Sequence, residues 1–169
     1  MTLMAALRTV VLLAATVSMG LGAGVFALYA HTIMPGLGGT DDRTFVGAFQ
    51  ALDRAILNPW FLGGSFLGAL VLGVVAGVLS LGRPEFPWIA AAVLLYLVVV
   101  VITIVVNVPL NDALKAAGAP DTIADIAAVR AAFDEARWRT WNLVRTALSV
   151  TSFVLLAWAL VVQGCGRTV

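Results

Sequence analysis

Val98-Val99-Val100-Val101-Ile102-Thr103-Ile104-Val105-Val106-Asn107-Val108-Pro109-Leu110-Asn111-Asp112 decides how this chain is to be read. A strongly apolar run ends in two amides, a proline and an acid. Pro109 has no N–H and biases Val108 toward extended geometry, so the sequence predicts that a helix stops here. Past the stop, Asn107 and Asn111 alternate with apolar residues, and in an extended chain both amides face the same way. Amides at the mouth of an apolar helix are costly unless something pairs with them. The other polar clusters of the chain are therefore expected to converge on this point.

Composition sets the solvent. Of 169 residues, 62% are hydrophobic and 11% are charged, with a mean hydropathy of +1.03. A soluble domain carries about 25% charged residues, so this composition is that of an integral membrane protein. A net charge of +1 implies no strongly basic or acidic partner, and nucleic acid is not an expected one. Cys165 is the single cysteine and His31 the single histidine. A disulfide within the chain is thereby excluded, as is a Cys-cluster metal site. No haem, flavin or metal is expected, because few side chains are left to hold one. Cys165 is read as a simple thiol, with acylation as the other reading.

Working outward, four spans are predicted near 9–30, 60–81, 88–107 and 143–162. Thr9 to Ala30 carries no charge and at about 1.5 Å per residue crosses a hydrocarbon core of roughly 30 Å. Arg8 ahead of an apolar run also suits a signal peptide, but the run is long for one, and a retained first span is favoured. His31 to Gly39 is read as the exit turn. A short helix capped by Thr40 or Asp41 follows over about 41–57. Phe45, Phe49, Leu52 and Ile56 make its apolar stripe, with Arg43, Gln50 and Asp53 on the other face. Trp60 stands at headgroup level. Gly82 to Pro87 is a tight turn, so the second and third spans form an antiparallel hairpin. Asp121 or Thr122 caps a last loop helix, about 121–142, which runs toward the final span. Gly20/Gly24, Gly64/Gly68 and Gly73/Gly77 have the spacing that lets helices approach closely. The fold expectation is thus an all-α, four-helix transmembrane bundle, one domain over residues 1–169, with two helical loop segments on one side. The oligomeric state, homo-oligomer included, stays open.

Orientation is weakly encoded. The side of the termini holds Arg8, Arg83 and Arg167 against Glu85, and the other side holds the remaining charges. Counting Lys and Arg alone would place the large loops inside. Because those loops are structured helices, cytoplasmic termini are the weakly favoured reading, in a bacterial cytoplasmic membrane.

The polar residues at span ends form a set. His31, Arg54, Asn107, Asn111, Asp112, Trp138, Trp141, Asn142 and Arg145 all fall on the loop side. Trp138, Trp141/Asn142 and Arg145 share one helical face. Each has a structural use: Trp and Arg anchor at interfaces, and Asn caps helix ends. As a group they suit a planar, quinone-like or polyphenolic ligand entering from the membrane. Trp supplies a flat wall, Arg a fork of donors for an oxyanion, and Asn both donor and acceptor.

Met34-Pro35-Gly36-Leu37, Arg54-x-x-x-Asn58-Pro59, Asn107-x-Pro109-x-Asn111 and Trp138-x-x-x-Asn142-x-x-Arg145 resemble the motifs of the anthrone oxygenase-like family, long described as a domain of unknown function. The resemblance covers nearly the whole chain. It implies an oxygenase-type monooxygenase that turns anthrones into anthraquinones with O2 and needs no flavin, haem or metal. On that implication the substrate is a hydrophobic aromatic small molecule. His31 is the candidate base, as the only side chain ordinarily titrating near neutrality, and Asp112 is its rival. Arg145, with Arg54 second, would hold the oxyanion. Asn107, Asn111 and Asn142 would bind phenol or carbonyl oxygens, and Trp138 and Trp141 would sandwich the rings. The competing class is a non-enzymatic membrane protein that binds a hydrophobic small molecule or a membrane partner.

Overall fold

The computed structural model describes residues 3–166. Arg167, counted above on the side of the termini, lies outside them. The described residues are helical, without a strand. Four helices are long and apolar enough to cross a membrane: Leu3–Gly38, Trp60–Leu79, Phe86–Ala116 and the one within Ile126–Cys165. The chain is therefore an integral membrane protein.

The spans pack in a ring. The first lies against the second and the fourth, and the third also lies against the second and the fourth. Their shared interior is aliphatic and tightly drawn, with Leu12, Ala15, Met19, Ala92, Leu156 and Ala159 all fully buried. Small residues permit that closeness. A Cβ on Gly73 or Gly77 would meet Val93 or Ile89 of the third span. Gly20 faces Phe153 of the fourth span, whereas Gly24 and Gly64 face open space. Gly68 serves its own helix, since a Cβ there would collide with the carbonyl of Gly63.

Two predicted chain breaks are absent, and for one reason. The helix does not stop at Asn107–Pro109 but runs on to Ala116. Likewise His31 to Gly38 is not an exit turn but the continuation of the first span. In both places a wide π turn precedes the proline by two residues: Tyr29–Ile33 before Pro35, and Thr103–Asn107 before Pro109. The closing bonds run Met34 N–H to the Tyr29 carbonyl and Val108 N–H to the Thr103 carbonyl, five residues back. The extra residue shifts the carbonyl that the proline ring would strike, so the helix bends without ending. Because the chain stays helical, Asn107 and Asn111 still share a face, now as i and i+4. A third π turn, Trp60–Phe66, opens the second span.

Above the ring lies a helical cap. Its main helix is Asp42–Ile56, with Asp41 as N-cap: the carboxylate accepts from Thr44 N–H at 3.0 Å and from Thr44 Oγ1 at 2.6 Å. Those bonds hold the Asp41 carboxyl below the ordinary aspartate range. Phe45 and Phe49 are buried as the stripe requires. Gln50 and Asp53, expected on the outer face, are buried too. Gln50 Nε2 donates to the Leu114 and Gly118 carbonyls, so this helix is covered on two sides. Asn58 joins the cap to the second span, donating to the Ala55 carbonyl and accepting from Phe61 N–H.

The expected single helix over 121–142 is two. Asp125, rather than Asp121 or Thr122, caps Ile126–Ala132 through Ala128 N–H. Phe133 ends that helix, and Asp134, in the left-handed conformation at φ 50°, caps the fourth span, Glu135–Cys165. Arg130 clasps the assembly, donating to the Thr40 and Gly38 carbonyls and pairing with Asp42 at 3.0 Å. Phe45, Phe49, Phe133, Trp138 and Met34 fill the space beneath.

Candidate functional site

Between cap and ring lies a cavity of about 130 Å³. Its walls come from every part of the upper molecule: Phe26 and Tyr29, Phe49 and Asp53, Phe61 and Phe66, Thr103 and Asn111, then Trp138, Asn142 and Arg145. All three π turns contribute, through Tyr29, through Phe61 and Phe66, and through Thr103. Wide turns of this kind recur at functional sites because they re-aim side chains that a regular helix would point elsewhere.

The cavity sits where the second span enters the bilayer. That span has 20 residues, about 30 Å at ~1.5 Å per residue, which is the thickness of the hydrocarbon core. Its first turns line the cavity, and the neighbouring Trp60 is 77% exposed, as a headgroup-level anchor would be. The first and third spans, at 36 and 31 residues, overshoot it on the cap side. Leu57 and Val108, which also border the cavity, are exposed and apolar. The cavity is thus bordered by exposed apolar side chains at the level of the second span's start.

Arg145 is the dominant charge. Only 4% of it is exposed. The fourth-span stripe of Trp138, Asn142, Arg145, Ser149 and Ser152 faces inward, and this periodicity turns the guanidinium into the bundle rather than to headgroups. Its bonds go to Thr103 Oγ1 at 3.1 Å and Asn142 Oδ1 at 2.9 Å, not to Asn107, Asn111 or Asp112. Its guanidinium carbon stands 4.7 Å from the centre of the Phe26 ring and 5.6 Å from that of Trp138. Its Nε is buried without a partner, as is Ser149 Oγ one turn further on. No acid pairs with Arg145 among the described residues. A buried charge is costly without such a partner, and the aromatic faces and two neutral oxygens offset only part of that cost.

Asp53, 7% exposed, lines the same cavity. Asn111 Nδ2 donates to its Oδ1 at 2.7 Å, and Lys115 Nζ lies 2.9 Å from its Oδ2. Asn111 in turn accepts from Trp138 Nε1 at 2.8 Å. Tyr29 packs on Trp138 with ring centroids 5.8 Å apart, and it lies in range of the charges of both Asp53 and Arg145. The cavity therefore presents a carboxylate and a guanidinium to the same apolar space without their pairing.

The residues singled out from sequence divide in two. Arg145, Asn111, Trp138 and Asn142 line the cavity. Asn107 is buried beside it and ties the third span to the fourth through the Trp138 carbonyl at 3.4 Å, leaving its Oδ1 without a partner. The others lie outside the lining. His31 is exposed on the π turn, bonded to its neighbour Thr32. Arg54 and Asp112 each follow an inward residue by one position, which on a helix is about 100° of rotation, and both are exposed. Trp141 is 37% exposed and leaves Trp138 to face the rings with Phe26, Phe49 and Phe66. Asp53 and Tyr29 were missed. Asp53 reads as the polar side of an amphipathic helix until the third span is known to cover it. The one available signal for Tyr29 was its place two residues ahead of His31 at the end of the first span.

No curated protein and no solved structure matches the chain. A family model described as "Anthrone oxygenase" matches residues 58–155. The matched segment carries Thr103, Asn111, Trp138, Asn142 and Arg145, and stops short of Tyr29 and Asp53, which precede it. The match spans more than half the chain and places this protein in the anthrone oxygenase family.

Proposed function

We propose that the protein is a cofactor-independent oxygenase of a lipid-soluble, ring-fused aromatic, an anthrone-like molecule with an acidic CH2 beside a carbonyl. It acts as one four-span domain in a bacterial cytoplasmic membrane. The observation that carries this reading is the buried, unpaired Arg145 guanidinium set among aromatic walls at bilayer level.

The chemistry follows from the substrate. Loss of one CH2 proton places negative charge on the carbonyl oxygen, and Arg145, with Asn142 orienting it, stabilises that oxyanion. The resulting electron-rich anion reduces O2 by one electron, and the two radicals combine into a C–O bond, giving a peroxide. After protonation of the peroxide, the second C–H proton leaves, the O–O bond breaks and a second carbonyl forms as water departs. One O2 is consumed, one oxygen atom enters the product and the other becomes water. The substrate supplies all four electrons. Phe26, Phe66 and Trp138 hold the rings flat and keep water from the anion.

The cavity is smaller than the roughly 300 Å³ at which ligand pockets begin, so a three-ring substrate seats by displacing side chains at the lipid-facing mouth, Leu57 first. The test is oxygen uptake by purified protein in lipid vesicles given a panel of anthrones. The expected result is uptake equal to the quinone formed. Binding of anthrones with no oxygen uptake would instead support a non-enzymatic carrier of hydrophobic molecules.

A further inference from the structure

With His31 and Asp112 outside the cavity, the reaction needs another base. We propose that Asp53 takes the substrate proton and that Lys115 and Asn111 are positioning residues that hold its carboxylate in place at the cavity; this rests on the oxygenase reading above.

Asp53 is the one carboxylate among the cavity-lining residues. It is more than nine-tenths buried, yet Arg145 does not neutralise it. Its partners among the described residues come from the third span: Asn111 Nδ2 on Oδ1 at 2.7 Å and Lys115 Nζ on Oδ2 at 2.9 Å. Each carboxylate oxygen accepts more than one hydrogen bond, so capacity remains on the cavity side. Lys115 also binds Asp112 at 2.9 Å, and Asp112 is exposed to water. The charged and titratable groups facing Asp53 are thus Lys115 with Asp112 behind it, and Tyr29 and Arg145 in the same cavity lining.

This layout separates base from oxyanion hole. A proton leaves toward Asp53 while charge develops toward Arg145, and a carboxylate and a guanidinium that line one apolar space without pairing serve the two steps. The protons then balance without exchange with bulk water. Asp53 takes the first C–H proton and returns it to the peroxide. It takes the second as the O–O bond breaks and passes it to the departing hydroxide, which leaves as water. With both protons passed on, Asp53 ends each turnover as it began, held between Asn111 and Lys115.

The experiment measures oxygen uptake with an anthrone, and separately the binding of the matching anthraquinone, for wild type, Asp53→Asn and Lys115→Met. Asp53→Asn should lower kcat about 10²–10⁴-fold, the range for a general base, while anthraquinone binding stays within a few-fold. Lys115→Met should lower kcat while KM and anthraquinone binding stay within a few-fold. Oxygen uptake at the wild-type rate by Asp53→Asn overturns the assignment. A wild-type kcat in Lys115→Met overturns the positioning role, and decides the matter should Asp53→Asn fail to fold. Wild-type protein that consumes no oxygen would overturn the oxygenase reading itself, a different outcome from either variant result.

Discussion

The two ends of the bundle solve opposite problems. Toward the termini, Leu12, Ala15, Ala76, Ile89, Ala92 and Ala159 close four helices over an aliphatic interior. Toward the cap, rings replace aliphatics, three turns widen, and a guanidinium and a carboxylate are kept apart inside the fold. Close packing of small residues is how helices associate where lipid removes the hydrophobic difference. Unpaired buried charge works against stability. The lower half therefore carries the fold, and the upper half uses part of that stability to hold a site open.

This division can be broken by mutation. The largest effect is expected at Arg145. Arg145→Lys keeps the charge but loses the planar fork that reaches Thr103 and Asn142 together. Turnover should fall about 10²–10³-fold, as for loss of one oxyanion donor, while the protein still inserts and folds. If Arg145 were only a headgroup anchor, Lys would serve equally by snorkelling, and the rate would not change. Next comes Ala92→Leu in the lower half. Overpacking should cost about 1–3 kcal/mol, read as thermal unfolding in detergent, with kcat untouched in the surviving folded protein. A large loss of kcat there would erase the distinction between the halves.

A smaller effect is expected at the clasp. Arg130→Gln removes the cation that joins the Gly38 and Thr40 carbonyls to Asp42. One hydrogen bond to a charged group contributes about 1.5–3 kcal/mol; partial exposure of Arg130 puts the expected loss at the low end. It should appear as faster hydrogen exchange in residues 42–56 and not in the lower half. The smallest effect is at Asp41. Its carboxyl is held below the ordinary range by Thr44, so its contribution is present above the ordinary aspartate pKa and is lost as pH falls through the lowered folded value. Asp41→Ala should loosen the start of the cap helix slightly at neutral pH, and the difference from wild type should vanish in strong acid.

Much of this was legible from residues. Span number follows from apolar run length, the Asp41 cap from an acid ahead of an amphipathic stripe, and the inward face of Arg145 from its spacing to Trp138 and Asn142. Pro35 and Pro109 misled, because a proline reads as a stop and a π turn leaves no mark in composition. Asp53 was illegible for another reason. Helix periodicity tells which residues share a face, but not that a second helix will cover the polar one, and its partners Asn111 and Lys115 lie 58 or more residues away in sequence. The division of 121–142 was hidden similarly, since Phe133, which ends the first helix beside the left-handed Asp134, packs on Phe45 and Phe49 of the distant cap helix.

The central claim is that the cavity stabilises an oxygen anion on a planar ring system through Arg145. A hydroxyanthraquinone reports this by its colour, since the phenolate absorbs at longer wavelength than the phenol. The decisive measurement is a pH titration of that absorbance for the molecule bound to wild-type protein and to Arg145→Lys in vesicles. Ionisation should occur at lower pH when bound to wild type than when free in vesicles, with most of that shift lost in Arg145→Lys at equal occupancy. A bound dye that ionises like the free one, or identically in the two proteins, would contradict it.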